Sequence, residues 1–191
     1  MDELEIKSLF DLSKSLAGEY LSGFTYPWEA LPGIGAMVVA LGETLSEKEY
    51  EKRGENIWVA RDATVAPTAC INGPVIIGKG AEVRHCAYIR GNVLVGAGAV
   101  VGNSTELKNA ILFDEVQVPH YNYVGDSILG YKSHMGAGSI TSNVKSDKSL
   151  VFIHAEDADI ETGLRKMGAI LGDQVEIGCG AVLNPGTVIG R

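Results

Sequence analysis

Two basic residues enclose an apolar stretch near the middle of the chain. Residues 90–108 read RGNVLVGAGAVVGNSTELK, so that Arg90 and Lys108 stand at the two ends with mostly small and aliphatic residues between them. A single strand or helix of that length gives no reason for such an arrangement, because its two ends lie far apart. A chain that returns to the same place over this interval would stack both cations within reach of one shared anion, such as a phosphate. The alternative is two solvated cations on neighbouring rungs, whose mutual repulsion is small.

The segment that follows contains a candidate general base. His120 and Tyr123 occur in VPHYNYVGDS, Glu106 lies shortly before Lys108, and Asn143 ends MGAGSITSN. Histidine is the natural general base near neutral pH. A lone histidine is more often a structural hydrogen-bonding residue, so these spacings alone leave both uses of His120 open.

The other reactive side chains give weaker signals. Zinc needs three or four converging ligands, and no two of the histidines have the short spacing of a ligand motif, among His85, His120, His134 and His154. The cysteines form no CxxC pair and are most simply small apolar residues: Cys70, Cys86 and Cys179. The spacing therefore disfavours a metal site and a cysteine nucleophile.

The elements that position these side chains follow from a hexapeptide repeat. Every sixth residue is apolar over a long run of successive positions, namely Val59, Val65, Ile71, Ile77, Val83, Ile89, Val95, Val101, Leu107 and Phe113. The register then slips by one position and resumes near the end of the chain. This period is typical of a parallel β-helix, in which each unit forms one short strand and one corner and its aliphatic side chain points inward. Three units form one coil, and the interval from Arg90 to Lys108 is three units, which places both cations on the same face one coil apart.

Two regions differ from this repeat. Residues 1–55 contain apolar positions at nearly helical spacing, in IKSLFDLSKSLAGEYLSGF, and we predict a helical N-terminal segment there. Residues 56–191 are predicted to form the β-helix, with a loop excursion at about 144–168 where the hexapeptide period breaks. We expect the N-terminal helices to cap the open end of the β-helix, where strand edges are otherwise exposed.

The composition restricts the class of partner and the location. The 191 residues carry 16 basic and 24 acidic side chains, a formal net charge of −8, which argues against nucleic acid or an anionic membrane as the main partner. The sequence shows no apolar stretch of membrane-spanning length, and its acidic start lacks the basic end of a signal peptide. With an odd number of cysteines, the sequence predicts a cytoplasmic protein with reduced thiols.

The motifs around these residues resemble a known family. GNSTELKNAI, VPHYNYVGDSILG and MGAGSITSN are similar to the acetyltransferase half of bifunctional N-acetylglucosamine-1-phosphate uridyltransferase/glucosamine-1-phosphate acetyltransferases. The tail resembles archaeal sugar-phosphate nucleotidylyltransferase/acetyltransferases, and the similarity extends over roughly residues 57–191, without a uridyltransferase domain. The resemblance implies a left-handed β-helix that assembles as a homotrimer, with active sites between subunits.

The resemblance also implies roles for individual residues in acyl transfer. His120 would be the base that takes a proton from the attacking amine, and Glu106 would orient its imidazole. The backbone N–H of Ala137 and the side chain of Asn143 would stabilise the oxyanion that forms on the thioester carbon.

A second set of residues is implied for binding. Three residues would hold the phosphate and hydroxyls of the amino sugar, namely Arg90, Lys108 and Tyr123. His134 stands where the family has a sugar-contacting asparagine. Coenzyme A would be bound through Ala137, near Cys179, and by loop cations that include Lys148 and Arg165.

The sequence thus predicts an acetyl-CoA-dependent N-acetyltransferase, without a metal requirement, that acts on an amino-sugar phosphate such as glucosamine 1-phosphate and is related to UDP-N-acetylglucosamine synthesis. One alternative is a non-catalytic trimer that binds a sugar phosphate or sugar nucleotide as a scaffold. A second alternative is a metal protein similar to γ-class carbonic anhydrases.

Overall fold

The computed structural model describes residues 2–155 and 158–191, and its first part is a series of short helical turns. The α-helices are α1 (Ile6–Leu9), α2 (Gly18–Leu21) and α3 (Ile34–Gly42), and the 3-10 helices are Asp2–Leu4, Leu12–Lys14 and Pro27–Gly33. The elements before α3 are short, at three to seven residues each. We call residues 2–42 the N-terminal segment.

The predicted helical region ends earlier than residue 55. Strand β1 (Tyr50–Gly54) runs antiparallel to β2 (Ile57–Ala60), which is the first strand of the β-helix. Strand β1 therefore supplies hydrogen-bonding partners along an edge that the first coil would otherwise expose. The expected helical cap at this end is replaced by a strand.

The rest of the chain forms a single left-handed parallel β-helix of about seven turns, which confirms the predicted fold class. Face A contains β2, β5 (Val75–Ile77), β8 (Val93–Val95), residues 110–112 and 127–129, β17 (Ala169–Leu171) and β20 (Thr187–Ile189). Face B contains β3 (Thr64–Val65), β6 (Glu82–Val83), β9 (Val100–Asn103), β11 (Gln117–His120), β13 (His134–Met135) and β18 (Glu176–Ile177). Face C contains β4 (Cys70–Ile71), β7 (Tyr88–Ile89), the first parts of β10 (Glu106–Leu112) and β12 (Tyr123–Leu129), β14 (Ile140–Thr141) and β19 (Val182–Leu183).

The inward side chains follow the hexapeptide period, and the slip in register has a structural cause. Leu112, not Phe113, pairs with Val95 on the preceding rung, so this coil is one residue shorter than the coils before it. Phe113 is freed from the column and is fully buried, with its ring centroid 5.0 Å from that of Phe10 in the N-terminal segment.

Face A is buried on both sides. Its inward column is apolar, and so is its outward column, whose members pair from rung to rung and are fully buried: Ile76, Leu94, Ile111, Ile128 and Ile170. Helix α3 packs against β5, β8 and β10. The N-terminal segment therefore covers a side of the β-helix, whereas we expected it to cap the end.

Hydrogen bonds at two corners hold the N-terminal segment on face A. At the corner between faces A and B, Asp173 Oδ2 accepts from the backbone N–H of Asp11 at 2.7 Å and from the Arg191 guanidinium at 2.7 Å. At the corner between faces C and A, Asn109 Nδ2 donates to the backbone oxygen of Leu31 at 3.2 Å. These bonds connect the segment to the last described coils and to the middle coils alike.

One excursion interrupts the coils between Asn143 and Met167. It contains an antiparallel hairpin of β15 (Phe152–His154) and β16 (Asp159–Glu161), and Val151 beside it is fully buried. The N–H of Met167 donates to the backbone oxygen of Asn143 at 3.0 Å, so the chain rejoins the β-helix where it left. Among the described residues there is no helix with the length and apolar character needed to cross a membrane.

We predict that Leu94→Ala, which removes a fully buried side chain beneath the N-terminal segment, lowers the free energy of unfolding by about 2–5 kcal/mol. The matched control is Leu16→Ala, because Leu16 lies on the exposed side of the same segment and should change the free energy by about 0.5 kcal/mol or less. Urea denaturation measures both variants. Equal small losses would contradict the packing of the segment on face A.

Candidate active site

The structure stacks the two cations that enclose the apolar stretch. The backbone N–H of Arg90 donates to the backbone oxygen of Leu107 on the next rung at 2.8 Å, which sets Arg90 beside Lys108 on the outer side of face C. The interval between the two cations therefore corresponds to one coil.

Each cation is already paired with a carboxylate. Arg90 Nη1 lies 2.8 Å from Glu106 Oε1, in a pair whose side chains are 44% and 34% exposed. Lys108 Nζ lies 3.0 Å from both oxygens of Asp126, and these side chains are only 27% and 6% exposed. Glu106 raises the pKa of the Arg90 guanidinium above its ordinary value through their hydrogen bond. The four formal charges cancel, so an incoming anion must displace a carboxylate or add to a neutral cluster.

Asp126 is a central residue of this corner that the sequence analysis missed. Besides Lys108, it accepts hydrogen bonds from Asn109 Nδ2 at 3.0 Å and from Asn143 Nδ2 at 2.5 Å. Asp126 has a φ of +49°, and Asn109 and Asn92 on the two preceding rungs have φ of +50° and +54°. Asn and Asp are the side chains that tolerate this left-handed conformation best. Asp126 stands one rung above Asn109, one position past Gly125, which is the residue opposite Lys108.

Tyr123 lies across face C toward Asn143. Its hydroxyl accepts from Asn143 Nδ2 at 3.2 Å, and a Cβ at Gly125 would be 2.5 Å from that hydroxyl, so glycine leaves room for the ring. Burial raises the pKa of the Tyr123 hydroxyl, and the carboxylates of Asp126 and Glu106 raise it further. The hydroxyl therefore stays protonated at neutral pH and is available as a donor to a bound molecule.

Three other predicted site residues stack at the corner between faces B and C. The backbone oxygen of His120 accepts from the N–H of Gly138 at 2.9 Å, and that of Ala137 accepts from the N–H of Gly180 at 2.8 Å. His120, Ala137 and Cys179 are all exposed there, on consecutive coils. This corner is at the other end of face C from the pair formed by Lys108 and Asp126.

A buried amide, Asn122, fixes this second corner and was also missed from the sequence. Its Oδ1 accepts from the backbone N–H of His120 at 3.1 Å, and its Nδ2 donates to the backbone oxygens of Gly136 at 2.9 Å and Ser139 at 3.1 Å. These bonds join His120 to the turn that contains Ala137. Nothing in the period marks Asn122, because its role depends on bonds to the next coil.

The structure gives Glu106 and His134 protein partners that the sequence does not predict. The Glu106 carboxylate binds Arg90, and among the described residues no hydrogen bond joins it to His120. His134 lies on face B with its Nδ1 2.7 Å from Glu176 Oε2, away from the cluster that contains Arg90. Strand β11 places His120 at a corner and β13 places His134 in the middle of a face, which the hexapeptide period alone does not specify.

The predicted cofactor cations lie on the excursion. Lys148 and Arg165 are both exposed, and the N–H of Lys148 closes a turn on the backbone oxygen of Lys145 at 3.0 Å. The excursion forms one wall of an open groove of about 460 Å³, lined by residues 145–147, Phe152, His154, Asn184 and Pro185. Neither Lys148 nor Arg165 is among the residues that line this groove.

The histidines are separate from one another in the structure. Three of them have their own polar partners, in the pairs His85 with Thr68, His134 with Glu176 and His154 with Asp159. Within residues 2–155 and 158–191, no three His, Cys, Asp or Glu side chains converge as metal ligands would.

We predict that Asn122→Ala lowers the free energy of unfolding by about 2–4 kcal/mol, because it removes three hydrogen bonds that this buried amide makes with the backbone of His120, Gly136 and Ser139. The matched control, Asn103→Ala, removes a single hydrogen bond to the backbone oxygen of His85 at the same corner and should cost about 1 kcal/mol or less. Thermal and urea denaturation compare the two. A loss at Asn122 no larger than at Asn103 would argue against its role in fixing the corner.

The chain is similar in sequence to known proteins over about half of its length. The bifunctional protein GlmU of Methanococcus maripaludis is 39% identical over 89 residues, which are 47% of this chain and 21% of that protein. A bifunctional sugar-1-phosphate nucleotidylyltransferase/acetyltransferase of Sulfurisphaera tokodaii is 34% identical over 89 residues, 47% of this chain and 22% of that protein. A hexapeptide transferase family protein of Anaplasma phagocytophilum aligns with a TM-score of 0.43 and 21% identity, over 68% of this chain and 70% of that one.

The two sequence relatives confirm the resemblance that the motifs indicate, although the chain spans only about a fifth of the length of the curated relatives it matches. The model of the GMPPB C-terminal domain matches residues 71–191, which is more than half of the chain. The chain therefore belongs to the GMPPB C-terminal domain family.

Proposed function

We propose that this chain is a hexapeptide-repeat N-acetyltransferase that moves the acetyl group of acetyl-CoA to the amine of an amino-sugar phosphate such as glucosamine 1-phosphate. The observation that carries the proposal is the group of polar side chains around Asp126 at one end of face C, with the exposed His120 at the other end. The name of the Sulfurisphaera relative, which includes an acetyltransferase, supports the same reaction class.

In the proposed acceptor complex, the two cations have different roles. The pair between Arg90 and Glu106 is exposed, so a phosphate can replace the carboxylate at small cost. Lys108 is held by the buried Asp126 and keeps that partner while its remaining N–H faces the sugar. The protonated hydroxyl of Tyr123 donates to a sugar oxygen beside them.

In the proposed transfer step, the amine nitrogen attacks the thioester carbon while His120 takes its proton. A C–N bond forms, the C–S bond breaks, and the coenzyme A sulfur leaves and receives the proton from His120. The backbone N–H of Ala137 has no acceptor among the described residues and is proposed to stabilise the oxyanion. Asn143 already donates to Tyr123 and to Asp126, so we assign it to holding the acceptor site instead.

We further propose a cytoplasmic homotrimer in which neighbouring subunits complete each site. His120 and Lys108 lie at opposite ends of face C in one chain, and exposed Tyr88, Tyr121 and Val182 on or beside that face give it apolar surface for a neighbour. Coenzyme A is proposed to run past Ala137 and Cys179, with phosphates near the loop cations Lys148 and Arg165.

A second candidate function is binding of a sugar phosphate or sugar nucleotide without catalysis. Its support is that Glu106 is bonded to Arg90 and therefore does not orient the imidazole of His120 in the described chain. Such a protein would retain the acceptor site without acetyl transfer.

We predict that purified protein releases free thiol from acetyl-CoA when glucosamine 1-phosphate is present and that His120→Ala lowers this rate by about 100-fold or more, because the general base is lost. The matched control is His85→Ala, which removes an exposed histidine from the same corner two coils earlier and should leave the rate unchanged. A thiol-reactive colour reagent measures the release.

Two results would argue against acetyl transfer with His120 as the base. No acceptor-dependent release, together with a melting temperature that glucosamine 1-phosphate raises, would favour the binding function. Equal losses in both histidine variants would show that His120 is not the base.

We predict that Glu106→Gln tightens binding of glucosamine 1-phosphate by about two- to fivefold at low salt, because it frees Arg90 for the phosphate. Glu82→Gln is the matched control, since Glu82 forms a similarly exposed pair with Arg84 on face B and should not alter binding. Titration calorimetry measures both. Weaker binding by the Glu106 variant would mean that this carboxylate contacts the sugar itself.

A further inference from the structure

Asp126 brings together the polar side chains at the corner between faces C and A. It is buried, although it borders the exposed outer side of face C. Its two oxygens accept from Lys108, Asn109 and Asn143, at distances from 2.5 to 3.0 Å. A buried carboxylate without such donors would be costly to the fold, so the three side chains and Asp126 stabilise one another.

The donors come from coils on both sides of Asp126. Lys108 and Asn109 belong to the coil before it, and Asn143 belongs to the coil after it. The backbone oxygen of Asp126 also accepts from the N–H of Gly168 at 2.8 Å, where the chain returns from the excursion. Asp126 therefore connects the rungs on which the acceptor site is built to both ends of the loop.

A continuous hydrogen-bonded path extends from this site to the N-terminal segment. Asn109 Nδ2 donates to Asp126 at 3.0 Å and to the backbone oxygen of Leu31 at 3.2 Å. Leu31 lies in the 3-10 helix Pro27–Gly33, which packs against β12. The N-terminal segment thus has a direct connection to the residues proposed to hold the acceptor.

The number of N–H donors on Lys108 and Asn143 shows which of them remain available to a bound molecule. An ammonium group has three N–H donors, and an amide group has two. Lys108 uses donors on both oxygens of Asp126 and retains one for a bound molecule, while Asn143 uses both of its donors inside the protein. A flexible lysine side chain held this way loses little further freedom when the acceptor binds.

Resting on the proposed function, we propose that Asp126 is the positioning residue of the acceptor site: its carboxylate directs the Lys108 ammonium and the Asn143 amide toward face C and, through Asn109, couples their orientation to the N-terminal segment. Asp126 does not touch the reacting atoms in this assignment. It acts on acceptor binding and leaves acetyl-CoA binding unchanged.

The test is steady-state thiol release by Asp126→Asn. This variant keeps the side-chain volume but turns one acceptor oxygen into a donor that opposes Lys108 or a neighbouring amide. We expect KM for glucosamine 1-phosphate to rise about tenfold or more, while KM for acetyl-CoA stays within about twofold. A second variant, Asn109→Gly, keeps the positive φ and removes the path to Leu31, and it should raise the acceptor KM by about threefold.

The fold offers a matched control for a purely structural effect. Asp173, like Asp126, is buried, pairs with a cation one coil away, here Arg191, and also bonds the N-terminal segment. Its side chain is 5% exposed, against 6% for Asp126. It lies at the corner between faces A and B, away from face C. Asp173→Asn should therefore lower the melting temperature as Asp126→Asn does and leave the acceptor KM unchanged.

The outcomes separate this inference from the proposed function. An unchanged acceptor KM in Asp126→Asn, or an equal rise in Asp173→Asn, would overturn the positioning role while catalysis stands. If the wild-type chain binds glucosamine 1-phosphate without transferring acetyl, the proposed catalytic function is wrong. The two aspartate variants are then compared by their dissociation constants for glucosamine 1-phosphate, measured by calorimetry. A wild-type chain that neither transfers nor binds would overturn both.

Discussion

The hydrogen bonds between successive coils are the interaction on which the rest of the molecule depends. Each coil donates to the next at nearly constant register, as when the N–H of Gly78 donates to Val95 and the N–H of Arg90 donates to Leu107, both at 2.8 Å. Parallel pairing of this kind stacks equivalent residues in columns about 4.8 Å apart. The candidate site is built from such columns. Two cations stack on face C, residues at positive φ stack at the corner between faces C and A, and the exposed His120 lies at the corner between faces B and C.

Local departures from the lattice produce the site. Two successive coils are a residue shorter than those before them, with Leu112 opposite Val95 and Leu129 opposite Leu112, and the corner column contains Asn92, Asn109 and Asp126 at positive φ. At this corner the Asp126 carboxylate contacts the Lys108 ammonium of the previous rung. The column that holds the cations continues with Gly125, whose missing side chain leaves room for Tyr123. The regular stacking of coils therefore positions the site, and the shortened coils and the glycine at position 125 make room for its polar side chains.

The N-terminal segment makes the three faces unequal. It buries the outward apolar column of face A, while the outer sides of faces B and C keep polar and exposed residues. Burial of an apolar column of this size favours the attached segment strongly, and the bonds at Asp173 and Asn109 fix its position. Because Asn109 binds both Leu31 and Asp126, the segment that covers face A is linked to the group proposed to hold the acceptor on face C.

The hexapeptide period by itself determined the β-helix, the coil of three units, the slip near Phe113 and the stacking of Arg90 on Lys108, since each follows from the order of apolar residues along the chain. The tertiary structure decided which carboxylate pairs with each cation, so that Glu106 binds Arg90 and not His120. It also decided that His134 binds Glu176, and that the helices cover a side of the β-helix while β1 covers its edge. A period specifies the column in which a residue stands. It does not specify which of several nearby donors its side chain reaches or which outer face a distant segment buries, because those outcomes depend on competition among groups that only folding brings together.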